Sequence, residues 1–413
     1  MTPTSPAQPA RPARAVDLDA LLTALPRRVA ARSLLARRGR VAVLLRTEAD
    51  SWTVAVDGTG VRARRGSPEG RATTTITASA RVLVQVLEGR RSGASAFLAG
   101  ELAVRGDLGV ALAVSDLVVS PERPVTHPRV RSVLVRGLET TYLEAGDPRD
   151  PPVVVLHGLG ATSASMLPVL EALAPDHRVL APDLPGHGDT AGARALGGAY
   201  SPGWTAAWLE VFQRETGSRP AVLVGNSLGG RIAIEAGLQD PRGVASLVLL
   251  SPSPAFRRLR QAAPLVRLLR PQSAVLPLRP PHVVVTEYVK AMVSDPARLP
   301  PGMAEAAADE FLRVARNRRS RVAFAAYARG IYLEQAHGER GFWTRLPSLT
   351  RPATFVWGER DRLVPAGFAR HVVAALPQSS SIVLPDCGHV PHLEWPERTA
   401  EVIRTHLGEH PAG

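Results

Sequence analysis

The sequence predicts two α/β units in tandem, the second built on a mostly parallel sheet. Three observations support this. Beyond about residue 130, short apolar runs alternate with helical stretches: Val153-Val154-Val155-Leu156, Val179-Leu180-Ala181, the run from Ala221 to Val224 and that from Val244 to Leu250. Continuous apolar runs of this length suit strands buried on both faces, and repeated β-then-α units imply a doubly covered parallel sheet. Before residue 120 the order differs, with helices, a pair of strands joined by a polar turn, and a Thr-rich strand. Between the two, Ser120-Pro121-Glu122-Arg123-Pro124-Val125-Thr126-His127-Pro128 holds three prolines, as expected of a stiff extended linker.

Composition bounds the function classes. A length of 413 residues suits two domains, and 45% hydrophobic with 21% charged residues suits a globular protein. The single cysteine, Cys387, excludes a disulfide framework and a cysteine-built zinc site. No metal or cofactor is called for. No apolar run reaches the ~18 residues of a membrane span. The opening Met1-Thr2-Pro3-Thr4-Ser5-Pro6 has no charged start or apolar core of a secretory signal, so a cytoplasmic location is expected. The net charge of +13 is spread out: residues 1–125 hold 18 arginines against 11 acidic residues, and the rest 32 basic against 26 acidic. With aromatics at 5% and no dense basic block, nucleic acid is not an expected partner, although loose contact with an anionic membrane surface is permitted.

In chain order, residues 1–15 lack apolar periodicity and are expected to form a disordered tail. Asp17 or Asp19 can cap a helix carrying Leu18, Leu21, Leu22 and Leu25, and a basic helical stretch follows Pro26 to about Arg38. Val41 to Leu45 and Trp52 to Val56 read as strands joined at Glu48-Ala49-Asp50. β-Branched Thr73-Thr74-Thr75-Ile76-Thr77 is a third strand. Ala78 to Leu87 is helical and stops at Gly89. Phe97-Leu98-Ala99-Gly100 leads into the strand Leu102-Ala103-Val104, and Leu108 to Leu117 is a helix. This order, with Ala96-Phe97-Leu98-Ala99-Gly100-Glu101-Leu102-Ala103-Val104-Arg105-Gly106-Asp107, resembles the sterol carrier protein-2 family over about 20–118. The resemblance implies a small α/β domain (16–119) with an apolar tunnel, and hence a possible lipid ligand. Residue types alone equally fit a solid domain that serves for docking.

After the linker (120–129), Val130 to Val135 and Leu138 to Leu143 read as a hairpin, and a helix spans about Trp204 to Glu215. The most informative stretch is Gly225-Asn226-Ser227-Leu228-Gly229-Gly230, between a buried strand and a helix beginning at Arg231. A strand that turns sharply into a helix strains its central residue, and only glycine fits close on either side. From about Ser251 to Leu346 the alternation stops, and leucines and arginines mix at helical spacing. The sheet resumes at Ala353-Thr354-Phe355-Val356-Trp357, and Ser381-Ile382-Val383-Leu384 is the last strand.

Taken together, residues 130–413 resemble the α/β-hydrolase fold, with a helical cap at about 252–346. The motifs stand in that family's order. Serine needs a base to take its proton, and the base needs an anion to hold it. Ser227, Asp361 and His389 follow in the Ser–Asp–His order of this fold, each at the carboxyl end of a strand. Glu359 is the rival acid; Gly358-Glu359-Arg360-Asp361-Arg362-Leu363-Val364-Pro365 resembles the family pattern G-x-x-D-x-x-V/I-P and selects Asp361. Ser251-Pro252-Ser253-Pro254, directly after Leu250, contains no carboxylate, although some relatives place the acid there. His157, His187 and His392 compete with His389, but Gly388-His389-Val390-Pro391-His392, with Glu394 following, resembles the family's pattern around the base. The oxyanion donors are expected to be the backbone N–H groups of Leu228 and, from His157-Gly158-Leu159-Gly160, of Leu159. His157 and Asp183 are read as loop holders, His392 as a satisfied packing residue and Cys387 as buried filler.

These features imply a serine hydrolase that cleaves a carboxylic ester of a small apolar or lipid-like substrate through an acyl-serine. Asn226 resembles the family's carbon–carbon bond hydrolases, which keeps that activity as an alternative; that branch has a Gly-Pro-rich oxyanion loop and an aromatic residue after the histidine, and His157-Gly158-Leu159-Gly160-Ala161 and Val390 depart from both. A further alternative is a non-catalytic lipid-binding protein.

Overall fold

A computed structural model describes residues 18–25, 35, 38–57, 60–115, 127–193, 199–254, 271, 274 and 280–411. The expected tail, most of the basic stretch after Pro26, the linker up to residue 126 and the arginine-rich segment 255–270 lie outside the described residues.

The smaller unit starts with α1 (Leu18–Ala24), which buries Leu18 and Leu22. Asp19 is inside its first turn rather than at the cap, and its carboxylate accepts the Trp52 indole N–H. β1 (Val41–Arg46), β2 (Ser51–Asp57), β3 (Gly60–Arg65), β4 (Thr74–Ala78) and β5 (Leu102–Gly106) form a sheet in the order β3-β2-β1-β4-β5. The β1/β4 pair is parallel and the other three are antiparallel. The strand β3 was not foreseen. Its segment Gly60-Val61-Arg62-Ala63-Arg64-Arg65 buries only Val61, since an edge strand needs little apolar surface. α2 (Ala80–Leu87) starts at Ser79, whose hydroxyl accepts from Val82 N. Phe97 and Leu98, at the start of the lead-in to β5, are the last residues of α3 (Gly93–Leu98), which buries Ala94, Ala96 and Phe97. α4 (Leu108–Ser115) closes the unit. Its apolar interior, lined by residues such as Leu45, Ile76, Leu83, Phe97, Val104 and Leu112, leaves a cavity of about 30 Å³.

The larger unit is an eight-stranded sheet of order β13-β12-β11-β10-β8-β9-β7-β6. β6 (Arg129–Val135) and β7 (Leu138–Ala145) form the expected hairpin. β8 (Pro152–Leu156), β9 (Arg178–Pro182), β10 (Ala221–Asn226), β11 (Val244–Leu250), β12 (Ala353–Gly358) and β13 (Ser380–Leu384) are parallel. Every residue of β10 and β12 is buried, as the continuous apolar runs predict. Helices α5 (Leu167–Leu173), α6 (Pro202–Glu215), α7 (Leu228–Gln239), α12 (Ala369–Ala375) and α14 (Pro396–Glu409) cover the faces. Between β11 and β12 lies a helical insertion: α8 (His282–Ala291), α9 (Met303–Ala315), α10 (Arg318–Leu333) and the short α11 (Phe342–Arg345). A single turn, α13 (Pro391–Glu394), precedes α14. No helix among the described residues is long and apolar enough to cross a membrane.

Two apolar clusters organise this arrangement. One fills a face of the large sheet with Leu156, Leu180, Leu223, Phe212 and Trp357. The other is continuous from the small unit (Val43, Phe97, Leu108) through the insertion (Met303, Ala306) to the opposite face of the large sheet (Val153, Val224, Val248). The small unit therefore shares its core with the rest of the chain.

Buried charge fastens the insertion to the other flank of the sheet. Arg231 of α7 is fully buried and pairs with Glu235 at 2.5 Å and with Glu334; Arg345 of α11 donates to both Glu235 oxygens, at 2.5 and 2.9 Å. Burial alone would raise the Glu235 carboxyl, but Arg345 and Arg231 overcome it and hold it at about 2. A depressed carboxylate contributes stability that is present above its unfolded pKa, near 4.5, and is lost as pH falls toward 2. Glu235→Gln should be roughly 3 kcal/mol less stable at pH 7, the gap closing as pH falls from about 4.5 toward 2. Denaturant unfolding at a series of pH values checks this; a gap independent of pH would refute it.

Candidate active site

The site is assembled at the carboxyl ends of β8, β10, β12 and β13. Ser227 joins β10 to α7 with φ 53° and ψ −112°, a conformation that costs a non-glycine residue roughly 1–3 kcal/mol. The surroundings enforce it. A Cβ on Gly229 would lie 2.2 Å from the Leu156 carbonyl oxygen, and one on Gly225 would lie 2.5 Å from the Gly229 and Gly230 backbone. Ser227 N–H donates to Leu250 O at 3.0 Å, and its carbonyl accepts from Arg231 N and Ser253 N. The side chain is left partly exposed among buried neighbours.

Asp361 and His389 meet: Nδ1 of the histidine is 2.7 Å from Asp361 Oδ2. The other oxygen of Asp361 accepts Leu363 N and Val364 N at 2.8 Å each, which orients the carboxylate. Both residues are buried. Glu359, the rival acid, is exposed and instead accepts Asp386 N at 3.1 Å.

The other histidines are placed elsewhere. His157 Nε2 accepts Leu184 N at 3.0 Å, and burial pushes its ring down to about 3, so it is neutral. His392 is likewise driven down to about 3 by burial and by neighbouring His389. It packs as expected, but its Nδ1 has no hydrogen-bond partner among the described residues. Asp183 holds a loop, accepting Ser163 N and Asp189 N at 2.8 Å each; burial, followed by the Asp189 carboxylate, pushes it up to about 7. Burial also pushes the Cys387 thiol up to about 12, leaving it inert filler.

The loop 157–160 lies against the serine. A Cβ on Gly158 would come within 3.1 Å of Asn226 Oδ1 and 3.5 Å of the Ser227 Cβ. Leu159 follows in this loop, and Leu228 is the first residue of α7, where N–H groups lack intrahelical acceptors. On its far side, Gly160 (φ +77°) is covered by Phe311 and Phe324, whose rings would sit 3.2 and 3.1 Å from an added Cβ.

Two residues have positioning roles that the sequence does not reveal. Asn226 Nδ2 donates to both Leu250 O and His389 O at 3.1 Å, tying the serine strand to the histidine loop. Glu394, buried, accepts Gly388 N at 2.6 Å with one oxygen and Ser294 N, Ser294 Oγ and Asp295 N with the other. It thereby clips the histidine loop to the insertion, as does His389 N, donating to Met292 O at 2.7 Å. The motif around His389 contains Glu394, but nothing local in the sequence reveals its partners.

Residues 151–396 match the family model described as alpha/beta hydrolase fold, and residues 18–119 match that of the SCP-2 sterol transfer family. The chain belongs to the alpha/beta hydrolase fold family, with an SCP2 domain at its N-terminal side. Among similar proteins, a pimeloyl-acyl-carrier-protein methyl ester esterase of Aromatoleum aromaticum is 29% identical, covering 61% of this chain and 96% of that protein. A dihydrolipoyllysine-residue acetyltransferase component of the acetoin cleaving system of Cupriavidus necator is 28% identical over 66% of this chain and 68% of its own. The crystal structure of a membrane phospholipase A, a bacterial virulence factor, superposes with a TM-score of 0.55 at 27% identity, over 68% of this chain and 86% of that one.

Asn226→Ala removes the donor to His389 O and leaves that buried carbonyl unpaired. The variant should lose about 1–3 kcal/mol of unfolding free energy by urea titration; an unchanged midpoint would show that the bridge is not formed.

Proposed function

We propose that the protein is a serine hydrolase that cleaves carboxylic esters of apolar or lipid-like acyl groups through an acyl-Ser227 intermediate. The observation that carries this reading is the Asp361–His389 contact of 2.7 Å on the same sheet edge as a serine held in a strained strand–helix turn. In this reading Ser227 Oγ attacks the ester carbonyl carbon while His389 Nε2 takes its proton. Asp361 holds the ring by Nδ1–H and stabilises the imidazolium. Backbone N–H groups of Leu228 and Leu159 receive the oxyanion. The tetrahedral species collapses, the ester C–O bond breaks, and His389 returns the proton to the departing alkoxide. Water then gives a proton to His389 and its hydroxide oxygen to the acyl carbon; the bond from that carbon to Ser227 Oγ breaks, His389 returns the proton to Oγ, and the acid is released.

An apolar acyl group is supported by Phe311 and Phe324 beyond Gly160, and by the esterase and phospholipase names among the similar proteins. Asn226, the residue resembling carbon–carbon bond hydrolases, has a structural duty here in bridging Leu250 and His389, so it does not by itself favour that chemistry.

Ser227→Ala should lower kcat on an activated ester by on the order of 10⁶-fold, with His389→Ala close behind because the residues act as a unit. Asp361→Asn should cost about 10⁴-fold. A fluorophosphonate probe should label the wild type once, at Ser227. Retention of full activity by the Ser227→Ala variant, or failure of the probe to react, would exclude the assignment.

A further inference from the structure

Helix α9 (Met303–Ala315) contacts both the SCP2 domain and the loop beside the serine. On the domain side it meets the turn on either side of β5, the stretch Gly100 to Asp107 that carries the family resemblance. A Cβ on Gly100 would lie 2.7 Å from Pro301 Cδ, immediately before the helix. Asp309 accepts the backbone N–H of Gly106 at 2.9 Å and Arg105 Nε at 2.7 Å. Arg313 reaches Asp107 at 3.7 Å and Asp189 at 3.1 Å, and is held by Glu310 at 2.5 Å; Arg38 of the SCP2 domain pairs with the same two aspartates. Met303, Ala304 and Ala306 join the apolar cluster that includes Phe97 and Leu108. On the opposite side Phe311, packed edge-to-face against Phe324 of α10 at 5.9 Å, covers Gly160. Gly160 is two residues from Gly158, which abuts Ser227.

A helix is stiff on this scale, so fixing Pro301, Asp309 and Arg313 fixes Phe311. The SCP2 domain contacts α9 with charge, backbone hydrogen bonds and apolar packing. We propose that this domain is a clamp on α9: by docking the β5 corner on Asp309 and Arg313 it sets Phe311 over the Gly158–Gly160 loop. It thereby selects which acyl groups reach Ser227 without touching them. The specificity part rests on the serine-hydrolase reading; the mechanical part does not. Phe311 is the specificity residue, and Asp309 and Gly100 are positioning residues that act through it.

The test uses the full chain and p-nitrophenyl esters from acetate to dodecanoate. Phe311→Ala should change the ratio of kcat/KM for long over short esters by about 10-fold or more, the scale set by a few apolar contacts. Asp309→Ala and Gly100→Leu, both remote from the serine, should move that ratio in the same direction, mainly through KM. Combining Asp309→Ala with Phe311→Ala should add nothing further to the ratio, because both act through one ring. Asp309→Asn, which keeps an acceptor for Gly106 N, should partly restore the wild-type profile. Hydrogen exchange gives the reading that needs no chemistry: amides at 158–162 should exchange faster in Asp309→Ala than in wild type. If exchange in that loop is unchanged while Asp309→Ala folds normally, the clamp is refuted. If exchange rises but the wild type hydrolyses none of the esters, the clamp stands and the ester-hydrolase reading fails. If exchange rises and chain-length profiles stay the same or the double variant is additive, control of specificity through Phe311 is refuted.

Discussion

The turn at Ser227 exists because three pieces of backbone meet there with no side chain between them. The Leu156 carbonyl at the end of β8 approaches Gly229 so closely that a Cβ would be 2.2 Å away, and Gly225 is similarly crowded by Gly229 and Gly230. With every residue of β10 buried, the strand cannot shift to relieve the contact. The chain escapes by forcing Ser227 to φ 53°. The absence of side chains at 225 and 229 thus lets the sheet and α7 pack, and packing energy supports the strain that lifts one hydroxyl toward solvent.

Around this turn the polar groups form a connected frame. Asn226 ties β10 to the His389 carbonyl, Asp361 holds His389 Nδ1, and Glu394 joins Gly388 to Ser294 and Asp295 of the insertion. Buried acceptors and donors left unpaired would each cost about 1–3 kcal/mol, so the frame is specific as well as cohesive. On the other flank, Arg231, Glu235, Glu334 and Arg345 bind the end of the insertion to α7. The helices over the sheet are therefore pinned at both ends to elements that carry Ser227 and His389.

The SCP2 domain extends this arrangement. Its core runs on without a break into the insertion and one face of the large sheet. Ser92 also donates to Glu171 on α5 at 2.6 Å, so the contact involves the sheet's covering helices as well as α9. Removing the domain would expose that apolar face to water, a change in solvation as well as in sequence length.

Much of the fold was legible because its signals are local. Uninterrupted apolar runs marked β8, β10 and β11, the spacing of Gly225, Ser227 and Gly229 marked the turn, and the order of Ser227, Asp361 and His389 marked the class. Strand β3 was missed because an edge position makes few demands on side chains, and of the two cap candidates Asp19 has a different duty because its partner, Trp52, is a strand away. The duties of Asn226 and Glu394 could not be read at all. Asn226 bonds a carbonyl 163 residues further on, and Glu394 bonds an amide 100 residues earlier. Side-chain periodicity and glycine sterics are properties of neighbours along the chain, so the amino-acid order alone determined the elements, their succession and the serine on its turn. Which amide lies within about 3 Å of which oxygen, and that α9 contacts both the SCP2 domain and the Gly158–Gly160 loop, depend on how distant segments cross, and only the folded chain decides that.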